Sequence, residues 1–536
     1  MKIRNVVAKT IACLAVVGTA QAVNLPSLLP GDRDSLGFVE GVGPQERIQD
    51  EFRKTLEIDT PLEQFKYEQA KSLSFTAYTA AAYKDEIFSK MQNFACKRPE
   101  EQFNQVYHNR FAAGPTFPVR TPNADTLYST FFIDTRVEPM VITIPDMEDR
   151  YWSIMTLDSM GNNYGPPGVR RNGKGGPKHF LYLGRTSTDG FLDVQELFWK
   201  NKFEEHFDET LLIQDELVWL TVRTEILAGE QLSPEPIWEF QDQMIATPLT
   251  EFHEDFSRFP IDEGDFPNPC DVEFAEAGDD LRVWKNYNTF LTNGAQQNEW
   301  QNSIQRLIGP ASIGEDGLPQ DELDNVEESV KQGLIDGTRL SATQIAKIWR
   351  RSGVDIDSWT YYVAWGDWGD EVNGTEYNFL LNAASIVSYP GYLEKEEAFY
   401  PETLLDGNGN PYDGSKLYRM HIPADQIPEV DAFWSLSLYA SSCWCFVDNM
   451  SDDDLSNDRY NLKDTDLVFN EDGSLDLYMG NGYENPGVPN WLPAHPDDEF
   501  YMIFRLYNAG EDVLTLQKPL PAIFPVDASA LSGLGF

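Results

Sequence analysis

The segment TPNADTLYST, residues 121–130, holds the first side chains that could do chemistry. Asn123 and Asp125 precede a strand-like run, and Tyr128 falls within it. A carboxylate and a phenol at one strand end could act as a general acid or base and as a proton relay. The alternative is a plain turn, because Asn and Asp side chains also hydrogen-bond their own backbone. The residue types leave both interpretations open.

A second group flanks the strand-like run 152–157. Arg150 precedes the run, Asp158 follows it, and Asn163 comes a few residues later. Here an arginine could hold a carboxylate or oxyanion while the aspartate exchanges a proton. The alternative is a buried Arg150–Asp158 ion pair that closes a sheet.

A third group lies in the last part of the chain and is suited to binding. Trp491, in the string NWLP, must pack on the core or meet a ligand. Arg505 lies between Phe504 and Leu506, so in a strand it points away from both and, if buried, needs an acidic or carbonyl partner. The full candidate set is catalytic Asp125, Tyr128, Arg150 and Asp158, with binding residues Asn123, Asn163, Asn449, Arg459, Trp491 and Arg505.

The familiar metal and nucleotide motifs are missing from the sequence. It has no G-x-S-x-G, no H-E-x-x-H and no Walker loop. None of the six histidines is spaced as a ligand pair with another, so no metal site is predicted and no cofactor can be named. The string DGNGNPYDG, 406–414, starts like a calcium loop but has Pro411 and Leu417 at the glycine and glutamate positions. It predicts a wide hairpin turn instead.

Residues 1–22 have the pattern of a secretory signal. A basic start precedes a short apolar run, and Ala20-Gln21-Ala22 matches a cleavage site. The alternative, a membrane anchor, needs a span of about 20 apolar residues, which is longer than this run. We therefore expect an exported protein, periplasmic or extracellular, with no membrane span.

The charge balance is strongly acidic, with 41 basic and 87 acidic residues and a net charge of −46. Such a surface repels nucleic acid and anionic membranes, so neither is expected as a partner. Adaptation to a salty habitat and cation binding both explain an acidic coat. The sequence leaves the oligomeric state open.

Four cysteines remain after residues 1–22, namely Cys96, Cys270, Cys443 and Cys445. An exported chain can oxidise them, and three pairings are possible. If 443–447 is a strand, Cys443 and Cys445 lie on one face, where each could reach a different partner.

Hydrophobic periodicity divides the chain into two β-rich regions separated by helices. The first β region contains the runs DTLYSTFFID, MVITIPD, RYWSIMTLD, HFLYLGR and LVWLTVRTEI, and the second contains KLYRMHIP, AFWSLSLYA, CWCFVDN, DLVFN, SLDLYMG and FYMIFRLYN. EDGSL, 471–475, predicts a hairpin turn of Asp-Gly type.

The helical signals lie before and between these regions. The Ala-rich stretch 61–95 predicts a helix with apolar contacts from Phe65, Leu73, Tyr83 and Ile87. Residues 235–350 are acidic and helical in pattern, and Ser341 resembles the N-cap of a helix that continues to Lys347.

These patterns predict a mainly β protein with helical segments, built from two β-sandwich, jelly-roll-like units joined by a helical insert. The predicted divisions are 1–22 signal peptide, 23–60 leader, 61–232 helix plus first sandwich, 233–358 acidic helical insert and 359–536 second sandwich.

Several strings resemble two bacterial families. TPNADTLYST, DMEDRYWSIMTLDSMGNN and LVWLTVRTEI resemble the domain of unknown function 1254. YRMHIP, DAFWSLSLYA, DNM, RYNL, EDGSLDLYMG, NWLPA and FRLYN resemble its usual C-terminal companion, the domain of unknown function 1214. The resemblance implies two sandwich-like units with joining helices, and no established activity. One departure is a residue more than usual between Arg120 and Asn123.

Three functions fit these residues. The first is an exported hydrolase or lyase that acts on a small polar or saccharide-like substrate in a cleft between the β units. The second is a non-catalytic carbohydrate- or protein-binding protein of the cell surface or periplasm, with some of its 13 tryptophans as platforms. The third is an acidic face that binds divalent cations for stability.

Overall fold

The structure is a computed structural model, and its described part runs from residue 60 to 527. Within this span it leaves out 92–94, 97–102, 118–119, 159–160, 162, 185–200, 214–215, 231–232, 263, 265, 267, 269, 272–274, 276–277, 293–322, 364–378, 390, 448–460, 465–466 and 484. The described residues belong to one compact unit, Thr60–Phe536. The predicted signal peptide and leader lie outside the described residues.

The helices of the described part follow in chain order. They are α1 (Pro61–Met91), α2 (Val169–Asn172), α3 (Glu235–Gln241), α4 (Leu249–Phe252), α5 (Arg282–Thr292), α6 (Glu328–Arg351), α7 (Phe379–Ser388) and α8 (Glu511–Leu514).

The strands fall into a first group before residue 249 and a second group after residue 353. The first group is β1 (Val106–His108), β2 (Thr126–Asp134), β3 (Met140–Ile144), β4 (Trp152–Asp158), β5 (Lys178–Gly184), β6 (Glu209–Ile213), β7 (Leu217–Glu225) and β8 (Ile245–Pro248). The second is β9 (Val354–Ile356), β10 (Trp359–Tyr361), β11 (Ala398–Phe399), β12 (Glu402–Thr403), β13 (Tyr412–Asp413), β14 (Leu417–Ile422), β15 (Trp434–Ala440), β16 (Asn461–Lys463), β17 (Leu475–Gly480), β18 (Trp491–Leu492), β19 (Glu499–Tyr507) and β20 (Ile523–Val526).

The first group forms two four-stranded sheets, ordered β1-β2-β7-β4 and β6-β5-β3-β8. One apolar core contains side chains of both sheets, among them Phe131 of β2, Ile142 of β3 and Phe180 of β5. Two open sheets that share a core are a sandwich. The expected first sandwich is therefore present.

The second group also forms two sheets. Eight strands build the larger one, whose main path is β16-β15-β19-β12-β10-β9, and the smaller is β18-β17-β14-β20. Phe504 and Leu436 of the larger sheet share a core with Met420 and Leu477 of the smaller. The fold is thus mostly β, with open and mainly antiparallel sheets and helical segments between the β-rich regions, as the sequence predicted.

The helical layer differs from prediction at α6. Ser341 does not start a helix; it lies inside α6, and its hydroxyl donates to the Phe75 carbonyl of α1 at 2.8 Å. Gly333 and Gly337 also lie inside α6. A Cβ at either position would overlap backbone atoms of α1, so these glycines let the two helices approach closely.

Gly337→Ala is expected to lower the unfolding midpoint, because its methyl would meet the Lys71 carbonyl, which cannot move aside. Overpacking of this kind costs about 1–3 kcal/mol. Gly278→Ala is the matched control, since a Cβ there meets nothing within 4 Å. Thermal unfolding of both variants tests the packing; equal midpoints would contradict it.

Most predicted strands are confirmed, and three expectations were wrong. CWCFVDN is a turn that contributes only an isolated bridge from Phe446 to Tyr439. Residues 467–470 form no strand, so EDGSL makes a turn but not a hairpin. In the region expected to be helical, β8 pairs with β3.

Helix α1 is confirmed, although its apolar face differs from prediction. Ile87 is buried and Leu73 packs on a helical core, whereas Phe65 is exposed. Tyr83 has no described side chain. The DGNGNPYDG turn is confirmed, because the Asp406 carboxylate accepts the Asn408 and Asn410 amides at 2.9 Å.

The four cysteines form two disulfides, and Cys443 and Cys445 do not each reach a different partner. Cys96 bonds Cys270, and Cys443 bonds Cys445. The second pair closes within a turn, where Trp444 has φ 60°, so its sulfurs do not line one strand face. Among the described residues, no helix is both long and apolar enough to span a bilayer.

Candidate functional site

Strands β7 and β19 each bury one face in the core of their own sandwich and turn the other face away from it. Leu220 and Val222 of β7 lie in the first sandwich core, and Phe504 and Leu506 of β19 lie in the second. Alternation then turns Arg223 and Arg505 away from those cores. Each arginine makes its hydrogen bonds with residues outside its own sandwich core.

A cavity of about 80 Å³ lies where these faces meet. It is lined from the first sandwich by Tyr128 and Arg223, with the preceding segment 120–123, and from the second by Glu402, Ile503 and Arg505. Tyrosines complete the wall: Tyr362, Tyr389, Tyr392 and Tyr400, together with Gly391. The predicted hollow between the two β units therefore exists, although strand faces as well as strand ends line it.

Arg505 is 4% exposed, and its hydrogen-bond acceptors are neutral groups, while the buried Asp125 carboxylate attracts it from a longer distance. Its guanidinium donates to the Ser437 hydroxyl at 2.9 Å and to the Thr121 and Pro122 carbonyls at 3.1 and 3.3 Å. These carbonyls are the partners that the sequence required of an inward arginine. Since they carry no charge, they leave the cation without a hydrogen-bonded counter-ion.

Arg223 is also a buried arginine whose hydrogen-bond acceptors are uncharged. It is 8% exposed, donates to the Tyr400 hydroxyl at 3.0 Å and the Gly391 carbonyl at 2.9 Å, and its Nε has no hydrogen-bond partner in the structure. Tyr128 is its register partner and places its ring 5.8 Å from the guanidinium. Within the described part of the chain, neither Arg223 nor Arg505 forms an ion pair with a carboxylate.

Glu402 is the acidic group of the wall. It is 2% exposed and accepts from the Tyr362 hydroxyl at 2.6 Å and the Tyr389 hydroxyl at 2.8 Å. Burial raises the pKa of Glu402, and these two hydrogen bonds partly oppose the rise. The carboxyl group can therefore carry a proton at a higher pH than an exposed glutamate does.

Asn123 belongs to both interpretations of the 121–130 segment. Its Oδ1 accepts the Asp125 amide at 2.5 Å, which is a turn, and its Nδ2 donates to the Tyr507 hydroxyl of β19 at 2.6 Å. It also lines the cavity. The Asp125 carboxylate instead accepts from Ser435 of β15 at 2.6 Å and is not part of the described cavity lining.

Arg150 and Asp158 do not pair with each other. Arg150 binds Glu230 through two nitrogens at 2.7 and 2.8 Å, and Asp158 accepts from Tyr164 at 2.8 Å. The alternative of a buried Arg150–Asp158 pair was therefore wrong. Neither residue lines the cavity in the described structure.

The remaining candidates lie apart or outside the description. Asn163 donates to the Tyr392 carbonyl at 3.0 Å, behind the cavity wall. Trp491 is 8% exposed, packs with Leu417 and donates to the Gly480 carbonyl at 2.8 Å, as a core residue does. Asn449 and Arg459 lie outside the described residues.

Sequence reasoning missed Arg223 and Glu402. Arg223 sits inside the strand-like run LVWLTVRTEI, which is the signal that singled out Arg505, so the same argument could have found it. Glu402 lies in a short strand without periodicity. No sequence signal placed it opposite β19, where it pairs with Ile503.

Family comparisons agree with this architecture. Residues 103–248 match the family described as Protein of unknown function (DUF1254), and residues 397–511 match Protein of unknown function (DUF1214). The chain thus carries a DUF1254 region followed by a DUF1214 region, in the order predicted. No functionally curated protein matches the sequence.

Two solved structures are similar. The VPA0106 protein from Vibrio parahaemolyticus is 21% identical, with a TM-score of 0.57 over 85% of this chain and 100% of that one. At this identity the likeness shows the fold alone. A putative uncharacterized protein from Burkholderia cenocepacia is 12% identical, with a TM-score of 0.41 over 91% of this chain and 95% of that one.

Proposed function

We propose that this chain is an exported protein that binds a short-chain carboxylic acid in the cavity between its two sandwiches. The observation that carries this proposal is the pair Arg223 and Arg505. Both are buried, and neither forms an ion pair with a carboxylate among the described residues; the buried Asp125 attracts Arg505 and the buried Glu397 attracts Arg223 only from beyond ion-pair distance. A buried charge is costly unless it is paired, so an anionic ligand supplies the missing partner.

The charge of the wall supports an anion. Arg120, Arg223 and Arg505 are its cations and Glu402 is its acid, in a chain whose net charge is −46. The cavity is therefore a positively charged region in a protein whose overall charge repels anions. Planar guanidinium groups match carboxylate geometry better than an ammonium does.

Cavity size sets the ligand class. The volume of about 80 Å³ is well below the roughly 150 Å³ of a cavity that takes benzene. It suits an acid of about four to six non-hydrogen atoms, with hydroxyls of Tyr128 and Tyr400 in the wall for a further polar group. A polymeric saccharide does not fit inside it, and none of the described tryptophans is exposed as a platform.

The proposed export rests on the signal-like residues 1–22 and on the two disulfides. Cys96–Cys270 joins positions 174 residues apart, and bonds of this kind persist in oxidising compartments.

Titration calorimetry tests the binding. Acetate, glycolate, lactate and pyruvate form the panel; acetamide is the neutral match for acetate, and inorganic phosphate is the competing oxyanion. At least one acid is expected to bind while acetamide does not. Equal binding of acetamide, or phosphate binding tighter than every acid, would contradict the ligand class. Proton NMR of the same mixtures reports whether the bound acid is converted.

We expect binding of the ionised acid to weaken as pH rises. Below its raised pKa, Glu402 is neutral and the arginines face the ligand alone; above it, the Glu402 carboxylate repels the ligand. Dissociation constants from about pH 5 to about pH 8 measure the effect.

Glu402→Gln should flatten this profile, because the amide does not titrate. Asp85→Asn is the matched control: burial also raises the pKa of Asp85, but this residue lies on helix α1 and is not in the cavity wall. A profile that flattens in the Asp85 variant, and not in the Glu402 variant, would refute the assignment.

A further inference from the structure

Three side chains outside the cavity converge on the first sandwich. His206 ends the helical turn 201–206, while His253 and Asp255 flank the start of the short 3-10 turn Glu254–Phe256. They are 47 and 49 residues apart in sequence from His206. Their ligand atoms lie within 4.8 Å of one another.

The geometry is that of a partial coordination sphere. His206 Nε2 lies 3.2 Å and His253 Nδ1 3.8 Å from Asp255 Oδ2. The two imidazole rings are 4.3 Å apart between centroids. Two imidazoles and one carboxylate are the ligand types that Zn²⁺ and related ions take in proteins.

An apolar floor holds the rings in place. The His206 ring lies 5.2 Å and the His253 ring 6.4 Å from the ring of Phe256, which is fully buried. The His253 Nδ1 accepts the Asp255 amide at 3.2 Å, which holds that ring beside the carboxylate. This nitrogen carries the one lone pair of the neutral ring, so a bound ion takes the place of the amide there. Ligands held before the ion arrives lose little freedom on binding it.

One cation already competes for the carboxylate. Lys202 Nζ lies 2.6 Å from Asp255 Oδ2, the oxygen that also faces His206. The ammonium occupies the place where positive charge is favoured, and a metal ion must displace it or use the second carboxylate oxygen. Removing Lys202 should therefore strengthen metal binding.

We propose that His206, His253 and Asp255 form a binding site for a divalent transition-metal ion, with Zn²⁺ as its representative. The two nitrogen ligands favour Zn²⁺ over Ca²⁺ and Mg²⁺, which prefer oxygen. Three protein ligands leave a coordination position for water. The site does not include the cavity residues, so it stands or falls independently of carboxylate binding.

The test is calorimetry with ZnCl₂ on untagged protein first dialysed against EDTA. One ion per chain should bind, at least about 10-fold more weakly in His206→Ala and in Asp255→Asn. Neither substitution removes the His253 side chain that accepts the Asp255 amide, and circular dichroism checks the fold. Lys202→Met should bind more tightly than the unmodified chain.

His495→Ala is the matched control. His495 accepts the Asp497 amide at 3.2 Å, as His253 accepts that of Asp255, but neither belongs to the ligand group of the described residues. Binding should be unchanged in this variant. Unchanged affinity in His206→Ala and Asp255→Asn, equal loss in His495→Ala, or tighter binding of Ca²⁺ would overturn the site.

Discussion

Replacement of Arg505 by glutamine is expected to weaken carboxylate binding by about 30-fold or more while leaving the fold intact. Loss of a buried, hydrogen-bonded charge that faces the ligand costs about 2–5 kcal/mol of binding free energy. The ligand-free protein should change its unfolding midpoint only a little, because the substitution removes a buried cation that forms no ion pair in the described structure, and this gain offsets the lost attraction to the buried Asp125 carboxylate. Arg223→Gln should behave in the same way.

A matched buried arginine separates this effect from a general loss of structure. Arg150 is 7% exposed but is paired with Glu230, and it lies outside the cavity wall. Arg150→Gln should lower the unfolding midpoint and leave carboxylate affinity unchanged at temperatures where the protein is folded. If Arg505→Gln lost binding only in proportion to unfolding, Arg505 would be a structural residue.

Replacement of Lys463 by methionine is expected to destabilise the protein by about 3–5 kcal/mol, the usual cost of breaking a buried ion pair. Lys463 of β16 is 3% exposed, bonds Glu225 of β7 and lies 4.0 Å above the Phe433 ring. Without the ammonium, the Tyr151 amide, at 3.1 Å, is the one hydrogen-bond donor left to the Glu225 carboxylate among the described residues. This pair joins the two sandwiches, so chemical denaturation should show a lower midpoint.

The double variant Lys463→Met with Glu225→Gln should recover most of the loss, because it leaves no unpaired buried charge. Lys66→Met is the control at an exposed pair, Lys66–Glu327, where a change within about 1 kcal/mol is expected. A Lys463 variant as stable as the Lys66 variant would mean that the junction does not depend on this ion pair.

Strand alternation allowed part of the site to be predicted from sequence. Arg505 between Phe504 and Leu506 had to point away from the core, and it does. Asn123 and Tyr128 follow from their place at the start of a strand, and both line the cavity. Periodicity reveals which face of a strand a residue occupies, and that information is local.

Contacts between residues that are distant in sequence could not be predicted from strand alternation. Nothing near Glu402 in sequence indicates that it faces β19, and His206 and His253 are brought together only by the fold. The run CWCF was predicted to be part of a strand, but Cys443 and Cys445 lie in a turn and bond each other. Ser341 was predicted as an N-cap from its residue type, whereas α6 runs through it and its hydroxyl donates to a carbonyl of α1.

The most direct measurement is a crystal structure of the protein with dichloroacetate, a two-carbon acid whose chlorine atoms are located by anomalous diffraction. The account predicts one acid in the cavity, with carboxylate oxygens within hydrogen-bonding distance of Arg223 or Arg505 nitrogens. A cavity that holds only water at saturating dichloroacetate, with the acid bound elsewhere or absent, would contradict it.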